Sequence, residues 1–289
     1  MPKIVAEIGC NHKGDLATAK EMITTAAMFC KADLVKFQKR NNRELLSPAQ
    51  YAAPHPNPAQ SYGETYGAHR EALEFDVSLH RELQAFCADL SIGYSSSVWD
   101  LTSAKEICAL KPELIKIPSA SNLNLEMLNY LAEAYEGEVH ISLGMTTWAE
   151  EDEIAAALDN RGRLRDVVFY ACTSAYPVSF DNICLGEITR LLEKFGGRTK
   201  AIGFSGHHLG IAADVAALAL GATWFERHFT LDRTWKGTDH AASLEPDGLR
   251  RLCRDLHAVD RSLSRKPKEL LECELPQRNK MKWGLAALD

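Results

Sequence analysis

Residues 201–229 read AIGFSGHHLGIAADVAALALGATWFERHF, and this stretch contains three successive structural segments. Its two ends, Ala201–Ser205 and Thr223–Phe229, are short runs that favour β-strand, and the middle, Ile211–Leu220, has the pattern of an amphipathic helix. Two strands joined by a helix of this length pair in parallel, because the helix carries the chain back across the sheet. The stretch therefore predicts one parallel strand–helix–strand unit.

The same alternation extends over most of the chain in both directions. In the predicted helices apolar residues recur at i, i+4 and i+7, as in Ala19, Ile23 and Ala26. The predicted strands are Ile4–Gly9, Leu34–Gln38, Gly93–Ser96, Leu114–Ile117, Val139–Gly144, Val167–Cys172, Ala201–Ser205 and Thr223–Phe229. The predicted helices are Leu16–Cys30, Ser78–Leu90, Leu101–Leu110, Leu125–Glu136, Trp148–Asp159, Cys184–Phe195, Ile211–Leu220 and Pro246–Ser264. Eight such units make an α/β fold, the (β/α)8 TIM barrel, the most economical architecture, with a doubly wound open sheet as the alternative.

The 289 residues fit one barrel domain over residues 1–264 and a short C-terminal extension over residues 265–289. One connection breaks the regular alternation. Asn41–Asp76 is rich in Pro, Ala, Tyr and Gly, and a connection of this length without obvious structure is usually functional. We expect it to form a lid or a dimer contact, with Tyr51, Tyr62 and Tyr66 as its notable side chains.

Composition excludes several classes of protein. Lysine and arginine number 33 against 39 acidic residues, a net charge of −6, and no basic stripe suggests a nucleic-acid binder. No apolar run approaches the roughly 20 residues that a membrane span needs. The N-terminal MPKIVAEIG lacks the features of a signal peptide, and the eight scattered cysteines form no CxxC pair. We therefore expect reduced thiols in a cytoplasmic protein.

Charged side chains lie near the carboxyl ends of the predicted strands, where the chemistry of this fold gathers. Lys36 and Lys116 occupy apolar runs, LVKFQ and LIKIP, and lysine is almost never buried without a partner. Both lysines therefore indicate binding of an anionic, phosphorylated ligand. Glu7 follows apolar residues near the end of the first strand, so it either takes part in the chemistry or forms a buried salt bridge with one of these lysines.

Hydroxyl and imidazole groups gather at the same strand ends. The serines at these ends could each be a core hydroxyl, but together they are neutral donors suited to a phosphate. They are Ser96, Ser119, Ser142 and Ser205. His207 and His228 end adjacent strands, with Asp239 on the following loop, and two histidines with open positions suit Mn²⁺, Zn²⁺ or Fe²⁺. The nearby His12, His208 and His240 leave the choice of ligands open.

Seven sequence blocks resemble the sialic acid synthase (N-acetylneuraminate synthase) family. They are AEIGCNHKGDL, VKFQ, LIKIPSA, ISLGM, YACTSAYP, GFSGHHLGIAADVAALALGATWFERHFTLDR and KGTDHAASLEP. They follow the family's order from residue 6 to residue 246. The resemblance is to the catalytic barrel, without the family's C-terminal antifreeze-like domain.

The resemblance implies a role for each matching position. The family's catalytic carboxylate falls on Glu7, its phosphoenolpyruvate contacts on Lys36, Ser96, Lys116, Ser119, Ser142, Ser174 and Ser205, its metal ligands on His207 and His228, and its sugar-facing positions on Gln38, Tyr176 and Asp239. The predicted catalytic residues are Glu7, Lys36, Lys116 and Asp239. The resemblance also implies a divalent metal; we expect Mn²⁺, with Mg²⁺, Co²⁺ or Zn²⁺ as alternatives.

The implied reaction joins phosphoenolpyruvate to an N-acetylmannosamine-like aldehyde and gives a 2-keto-3-deoxy sugar acid plus phosphate. Carbon 3 of phosphoenolpyruvate would attack the aldehyde, water would add at carbon 2, and phosphate would leave with cleavage of its C–O bond. Lys36 and Lys116 would hold the anionic groups, and a metal on the two histidines would polarise the aldehyde. Glu7 would position or deprotonate the water, or transfer the proton that the aldehyde oxygen takes up. A role in making surface polysaccharide sugars follows from the resemblance.

The chain departs from the family's pattern at Gly206, at Ser121 and in the unmatched antifreeze-like domain, and the last two leave the acceptor sugar open. Gly206 stands where the family usually has Asp, and Ser121 stands where it has a carboxylate. The alternatives are a different non-acylated or phosphorylated aldose, an unrelated Schiff-base barrel aldolase, and a non-catalytic barrel that binds a sugar phosphate. The expected partners are phosphoenolpyruvate and a sugar aldehyde, and the expected assembly is a homodimer or a higher homo-oligomer.

Overall fold

Eight parallel strands form the centre of the molecule in a computed structural model that describes residues 1–284, with residues 285–289 outside the described part. The strands are β1 (Lys3–Gly9), β2 (Leu34–Lys39), β3 (Gly93–Val98), β4 (Leu114–Ile117), β5 (Glu138–Ser142), β6 (Val167–Cys172), β7 (Ala201–Gly206) and β8 (Trp224–His228). Each strand pairs with the next in the chain, and β1 also pairs with β8, which closes the sheet. Closure confirms the predicted (β/α)8 barrel and excludes the doubly wound open sheet.

Helices connect these strands and cover the barrel. They are α1 (Leu16–Thr24), α2 (Asn42–Leu45), α3 (Pro48–Ala52), α4 (Tyr66–Ala72), α5 (Val77–Asp89), α6 (Leu101–Cys108), α7 (Leu125–Ala134), α8 (Trp148–Asp159), α9 (Gly186–Phe195), α10 (Ala212–Ala219), α11 (Pro246–Ser262) and α12 (Leu275–Met281). Each predicted helix is present: Trp148–Asp159 has the predicted ends, and in the others one or both ends are shifted. The largest difference is at Leu16–Cys30, where the last six residues, Thr25–Cys30, form a π-helical turn.

The connection from residue 41 to residue 76 is structured, contrary to the predicted loop without obvious structure. It contains α2, α3 and α4, each begun by a side chain that accepts a hydrogen bond from a backbone N–H: Asn41, Ser47 and Thr65. Helices of seven residues or fewer are too short to show a clear periodicity, so only these capping residues marked them in the sequence.

A layer of apolar side chains inside the barrel positions the residues above it. The layer consists of Val5, Leu34, Leu114, Val168, Tyr170 and Trp224. Side chains alternate along a strand between the barrel interior and the surrounding helices, so residues two positions further along also face the interior. On four of these strands those residues are Glu7, Lys36, Lys116 and Glu226. The barrel interior therefore changes from apolar to charged between one inward-facing residue and the next on each of these strands.

A buried ion pair holds the loop that follows β7. The Arg227 guanidinium donates to the Asp214 carboxylate and to the carbonyl oxygens of Gly210 at 2.9 Å and His208 at 2.6 Å. Both charged side chains are fully buried. The pair therefore connects β8 and α10 to the loop that begins at His207.

Replacing Asp214 by alanine should lower the free energy of unfolding by about 3–5 kcal/mol, because it leaves a buried guanidinium without its carboxylate. Urea denaturation followed by circular dichroism measures the change. The double variant Asp214→Leu/Arg227→Met removes both charges and should recover most of the loss. A loss below about 1 kcal/mol in the single variant would contradict this role for the pair.

The end of the chain contributes little to the barrel. α12 has no buried residue, and the predicted C-terminal extension, residues 265–289, is described as far as residue 284. None of the helices within residues 1–284 is both long enough and apolar enough to cross a membrane.

Candidate active site

A cavity of about 560 Å³ opens at the carboxyl ends of the strands. The predicted site residues that line it are Glu7, Lys36, Gln38, Lys116, Ser119, Ser142, Ser174, Tyr176, Ser205, His207, His228 and Asp239. The remaining predicted residue, Ser96, does not line it. The structure therefore brings twelve of the thirteen predicted residues to one place.

Ser96 does not line the cavity, contrary to the prediction, because the alternation of side chains along β3 places it on the outer face of the strand. The cavity is lined by the next residue, Ser97, whose Oγ accepts a hydrogen bond from Lys36 Nζ at 2.6 Å. Ser96 is buried on the other face of β3, and its hydroxyl donates to the Ser97 carbonyl oxygen at 3.3 Å. Three consecutive serines gave no pattern from which to choose the inward residue.

Four buried charges form a network at the base of the cavity. Lys36 Nζ lies 2.5 Å from Glu7 Oε2 and 3.7 Å from Glu226 Oε1, and Lys116 Nζ lies 2.9 Å from Glu226 Oε2. A buried salt bridge between Glu7 and a lysine was one of the two predicted roles of Glu7, and this contact is present. Glu226 was missed, although it precedes His228 by two residues on the same strand and therefore faces the same interior.

The two carboxylates of this network differ in proton affinity. Burial raises the pKa of Glu7 to about 7, against the opposing effect of Lys36. Burial alone would also raise the pKa of Glu226, but Lys116 and Lys36 outweigh it and lower the value to about 2. Glu226 is therefore ionised at neutral pH, while Glu7 is poised to gain or lose a proton there.

Neutral donors surround the charges on the side of β4, β5 and β6. Ser119 Oγ accepts a hydrogen bond from the Gly144 N–H at 3.0 Å. A Cβ at residue 144 would lie only 2.4 Å from Ser174 Oγ and 2.8 Å from Ser119 Oγ. A side chain at residue 144 would therefore displace both serine hydroxyls, whereas glycine lets the backbone of the ISLGM segment lie against them. Together with the lysines, these groups make a site that suits a small ligand with more than one anionic group.

His207 and His228 face each other across the mouth, with ring centroids 5.5 Å apart. His207 Nδ1 donates to the Thr173 carbonyl oxygen at 3.0 Å, so in the neutral ring the lone pair is on Nε2. The buried Nδ1 of His228 has no hydrogen-bond partner within residues 1–284, and Asp239 Oδ2 lies 4.0 Å from it. Burial lowers the pKa of His228 to about 4, so its imidazole is neutral at physiological pH.

These donors fit a divalent metal that would take its other ligands from water and substrate. The described residues hold no preassembled group of three or more His, Cys, Asp or Glu side chains suited to a metal ion. The other histidines considered in the sequence analysis have different surroundings. His12 stacks on Phe75, His208 lies against Arg227 and Asp214, and His240 bonds to Thr230. None of the three lines the cavity.

The segment from residue 41 to residue 76 forms one wall of the cavity. Its lining residues are His55, Pro56, Asn57, Tyr66, His69, Arg70 and Leu73. The wall is joined to the loop after β8, since Tyr62 Oη donates to the Lys236 carbonyl oxygen and the Gly237 N–H donates to Gln60 Oε1. Of the three tyrosines noted in the sequence, Tyr66 lines the cavity. Ser121 is buried and does not line the cavity.

The sequence identifies the family to which this barrel belongs. The sequence matches the NeuB family over residues 22–268, and the chain belongs to that family. This result confirms the resemblance to sialic acid synthases.

Similar proteins cover nearly the whole chain. The N-acetylneuraminate-9-phosphate synthase of Homo sapiens is 39% identical over 286 residues, which are 96% of this chain and 76% of that protein. The N,N'-diacetyllegionaminic acid synthase of Campylobacter jejuni is 33% identical and covers 98% of this chain and 84% of its own length. The crystal structure of the N-acetylneuraminic acid synthetase of Leptospira borgpetersenii, in complex with citrate, superposes with a TM-score of 0.81 at 26% identity, covering 98% of this chain and 93% of that one.

Proposed function

We propose that this chain condenses phosphoenolpyruvate with the aldehyde form of an amino sugar, giving a 2-keto-3-deoxy sugar acid and phosphate. Membership of the NeuB family supports the reaction class, since its named relatives are synthases of N-acetylneuraminate-9-phosphate, diacetyllegionaminic acid and pseudaminic acid. The single observation that carries the proposal is the buried Lys36–Lys116 pair with its carboxylates at the base of the cavity.

The lysines and the serines suit the two anionic groups of phosphoenolpyruvate. At neutral pH the network holds two ammonium groups, one ionised carboxylate and one half-ionised carboxylate, so its net charge lies between 0 and +1. A dianionic or trianionic ligand is therefore attracted to it. Such donors, fixed at the buried base of the cavity, also stabilise charge that develops as carbon 3 attacks the aldehyde and phosphate leaves.

Glu7 is suited to move a proton during the reaction. Its pKa of about 7 places the carboxyl group near the proton affinity that is best for general acid–base catalysis at neutral pH. Gln38 Nε2 donates to Glu7 Oε1 at 3.1 Å and Lys36 approaches the other oxygen, so the carboxyl group is held in one orientation. It can take the proton of the water that adds at carbon 2 or give one to the new hydroxyl.

His207 and His228 would hold a divalent metal, with Asp239 beside them, and we propose Mn²⁺ as the native ion. The chemistry that such an ion supplies when bound is Lewis-acid polarisation of a carbonyl group. Tyr176 packs against His207 with ring centroids 4.2 Å apart, which restricts the orientation of that imidazole.

Phosphate release from phosphoenolpyruvate tests the proposed function. The assay uses Mn²⁺ and a panel of aldoses that includes N-acetylmannosamine and its 6-phosphate. We expect release that depends on one class of acceptor, that is lost on chelation and that returns when Mn²⁺ is added. A matched assay without acceptor measures background hydrolysis. Release that is equal with and without acceptor, or absent with every acceptor, would overturn the condensation; release that survives chelation would overturn the metal requirement.

A further inference from the structure

Arg70 is a buried cation without an ion-pair or hydrogen-bond partner among residues 1–284. It lies on α4, its side chain is only 8% exposed, and it lines the cavity. Among residues 1–284 no side-chain or backbone oxygen accepts a hydrogen bond from its guanidinium, and no carboxylate lies within 4 Å of it. Its Nε is fully buried with no hydrogen-bond partner. The terminal N–H groups of the guanidinium are therefore not used by the described residues and remain for a ligand in the cavity.

The surroundings of Arg70 compensate its buried charge only in part. Its guanidinium lies 5.6 Å from the ring centroid of Trp99 and 5.7 Å from that of Tyr66, so aromatic faces give it its nearest compensation. The neighbouring Arg40 is paired with Glu74, so that carboxylate is already engaged. Burial, and next the repulsion of Arg40, lower the pKa of Arg70. Burying an unpaired charge lowers stability, and such a cost is typical of a group kept for ligand binding.

Arg70 and the lysines belong to different parts of the cavity. Lys36 and Lys116 project from barrel strands at its base, whereas Arg70 projects from the wall formed by residues 41–76. Phosphoenolpyruvate already has two lysines and several hydroxyls for its anionic groups. The acceptor must place its aldehyde against phosphoenolpyruvate, so the far end of the sugar chain extends away from the base and toward the wall.

We propose that Arg70 binds a phosphate group at the end of the acceptor sugar that lies far from the aldehyde. The inference rests on the proposed function and assigns its acceptor to the sugar phosphates. A guanidinium can donate two parallel hydrogen bonds to one phosphate group. A neutral sugar hydroxyl in place of the phosphate would accept them less well.

Neutral donors on the same wall support a phosphate there. The Tyr62 N–H donates to His69 Nδ1 at 3.0 Å, so the proton of the neutral ring is assigned to Nε2. Burial lowers the pKa of His69 to about 4, and the ring therefore stays neutral at physiological pH. His69 and Asn57 both line the cavity beside Arg70, and each carries an N–H donor.

Kinetics with paired acceptors test this inference. The variants are Arg70→Gln, Arg70→Lys and the control Arg43→Gln, whose exposed arginine lies on the same segment outside the cavity lining. The acceptors are N-acetylmannosamine and its 6-phosphate. We expect wild type to prefer the phosphate, and Arg70→Gln to lower kcat/KM for it about 10- to 100-fold, the loss of one charge-assisted pair. Activity with the unphosphorylated sugar and KM for phosphoenolpyruvate should be unchanged. Arg70→Lys should fall between.

Two further measurements distinguish a failure of this inference from a failure of the proposed function. Calorimetric titration of metal-loaded protein with the sugar phosphate, without phosphoenolpyruvate, should show binding that Arg70→Gln weakens by the same factor even if no turnover occurs. Thermal unfolding should show Arg70→Gln at least as stable as wild type, because removal of the buried charge outweighs the loss of its contacts with Trp99 and Tyr66. Equal kcat/KM for both acceptors in wild type, or a raised KM for phosphoenolpyruvate in Arg70→Gln, would overturn the inference. Absence of release with every acceptor would instead overturn the proposed function.

Discussion

Replacing Lys116 by methionine should lower kcat/KM for phosphoenolpyruvate by about 10²- to 10³-fold. Lys116 Nζ lies 2.9 Å from Glu226 and 3.6 Å from the ring centroid of Tyr170, at the point where the barrel interior changes from apolar to charged. Methionine keeps most of the length of the side chain and removes its charge. The remaining network would then carry a net charge between −1 and 0 at neutral pH, which repels an anionic substrate instead of attracting it.

The comparison variant for this experiment is Lys105→Met, which removes an exposed lysine from α6. Steady-state phosphate release gives kcat/KM, and calorimetry gives the affinity for phosphoenolpyruvate. Lys116→Met should also lower the free energy of unfolding by about 3 kcal/mol, since Glu226 keeps only the more distant Lys36 as an ion-pair partner. A folded Lys116→Met protein with kcat/KM within threefold of the control would contradict the proposed role of Lys116.

The barrel could be predicted from the sequence because its pattern repeats. Eight β-rich runs separated by helices of suitable length leave few topologies, and every predicted strand is present. The ends of elements could not be fixed as well, because they depend on capping contacts. The predicted helix Cys184–Phe195 begins instead at Gly186, and the short helices of residues 41–76 have no periodic signal at all.

The site could be predicted only as far as strand position determines it. Lysine, histidine and glutamate near strand ends indicated the cavity, and the structure places them there. The choice between Ser96 and Ser97 needed the strand register, which three consecutive serines do not reveal. Glu226 could have been found by counting two residues back from His228. Arg70 could not, because its significance lies in the absence of a partner among the described residues, which only the folded chain shows.

Replacing Glu7 by glutamine should lower kcat/KM by about 10²- to 10⁴-fold and remove one ionisation from its pH profile. In wild type, the carboxyl group is protonated below pH 7 and ionised above it, because burial raises its pKa to about 7. If the carboxylate accepts the proton, kcat/KM of the wild type rises through pH 7 and levels off above it. The exposed Glu82→Gln is the matched control, and it should keep the wild-type profile.

The same ionisation has a second consequence, for stability, that does not depend on turnover. An unfolded glutamate loses its proton near pH 4.5, whereas folded Glu7 keeps it to about pH 7, so folding binds a proton between these values. Wild-type stability therefore loses this contribution as pH rises from 4.5 to 7, and Glu7→Gln is spared the loss. The urea concentration at the midpoint of unfolding, measured at pH 5 and pH 8, should increase for the variant relative to wild type at the higher pH. A difference that does not change with pH, together with full turnover of Glu7→Gln, would mean that Glu7 stays ionised throughout and serves only to balance Lys36.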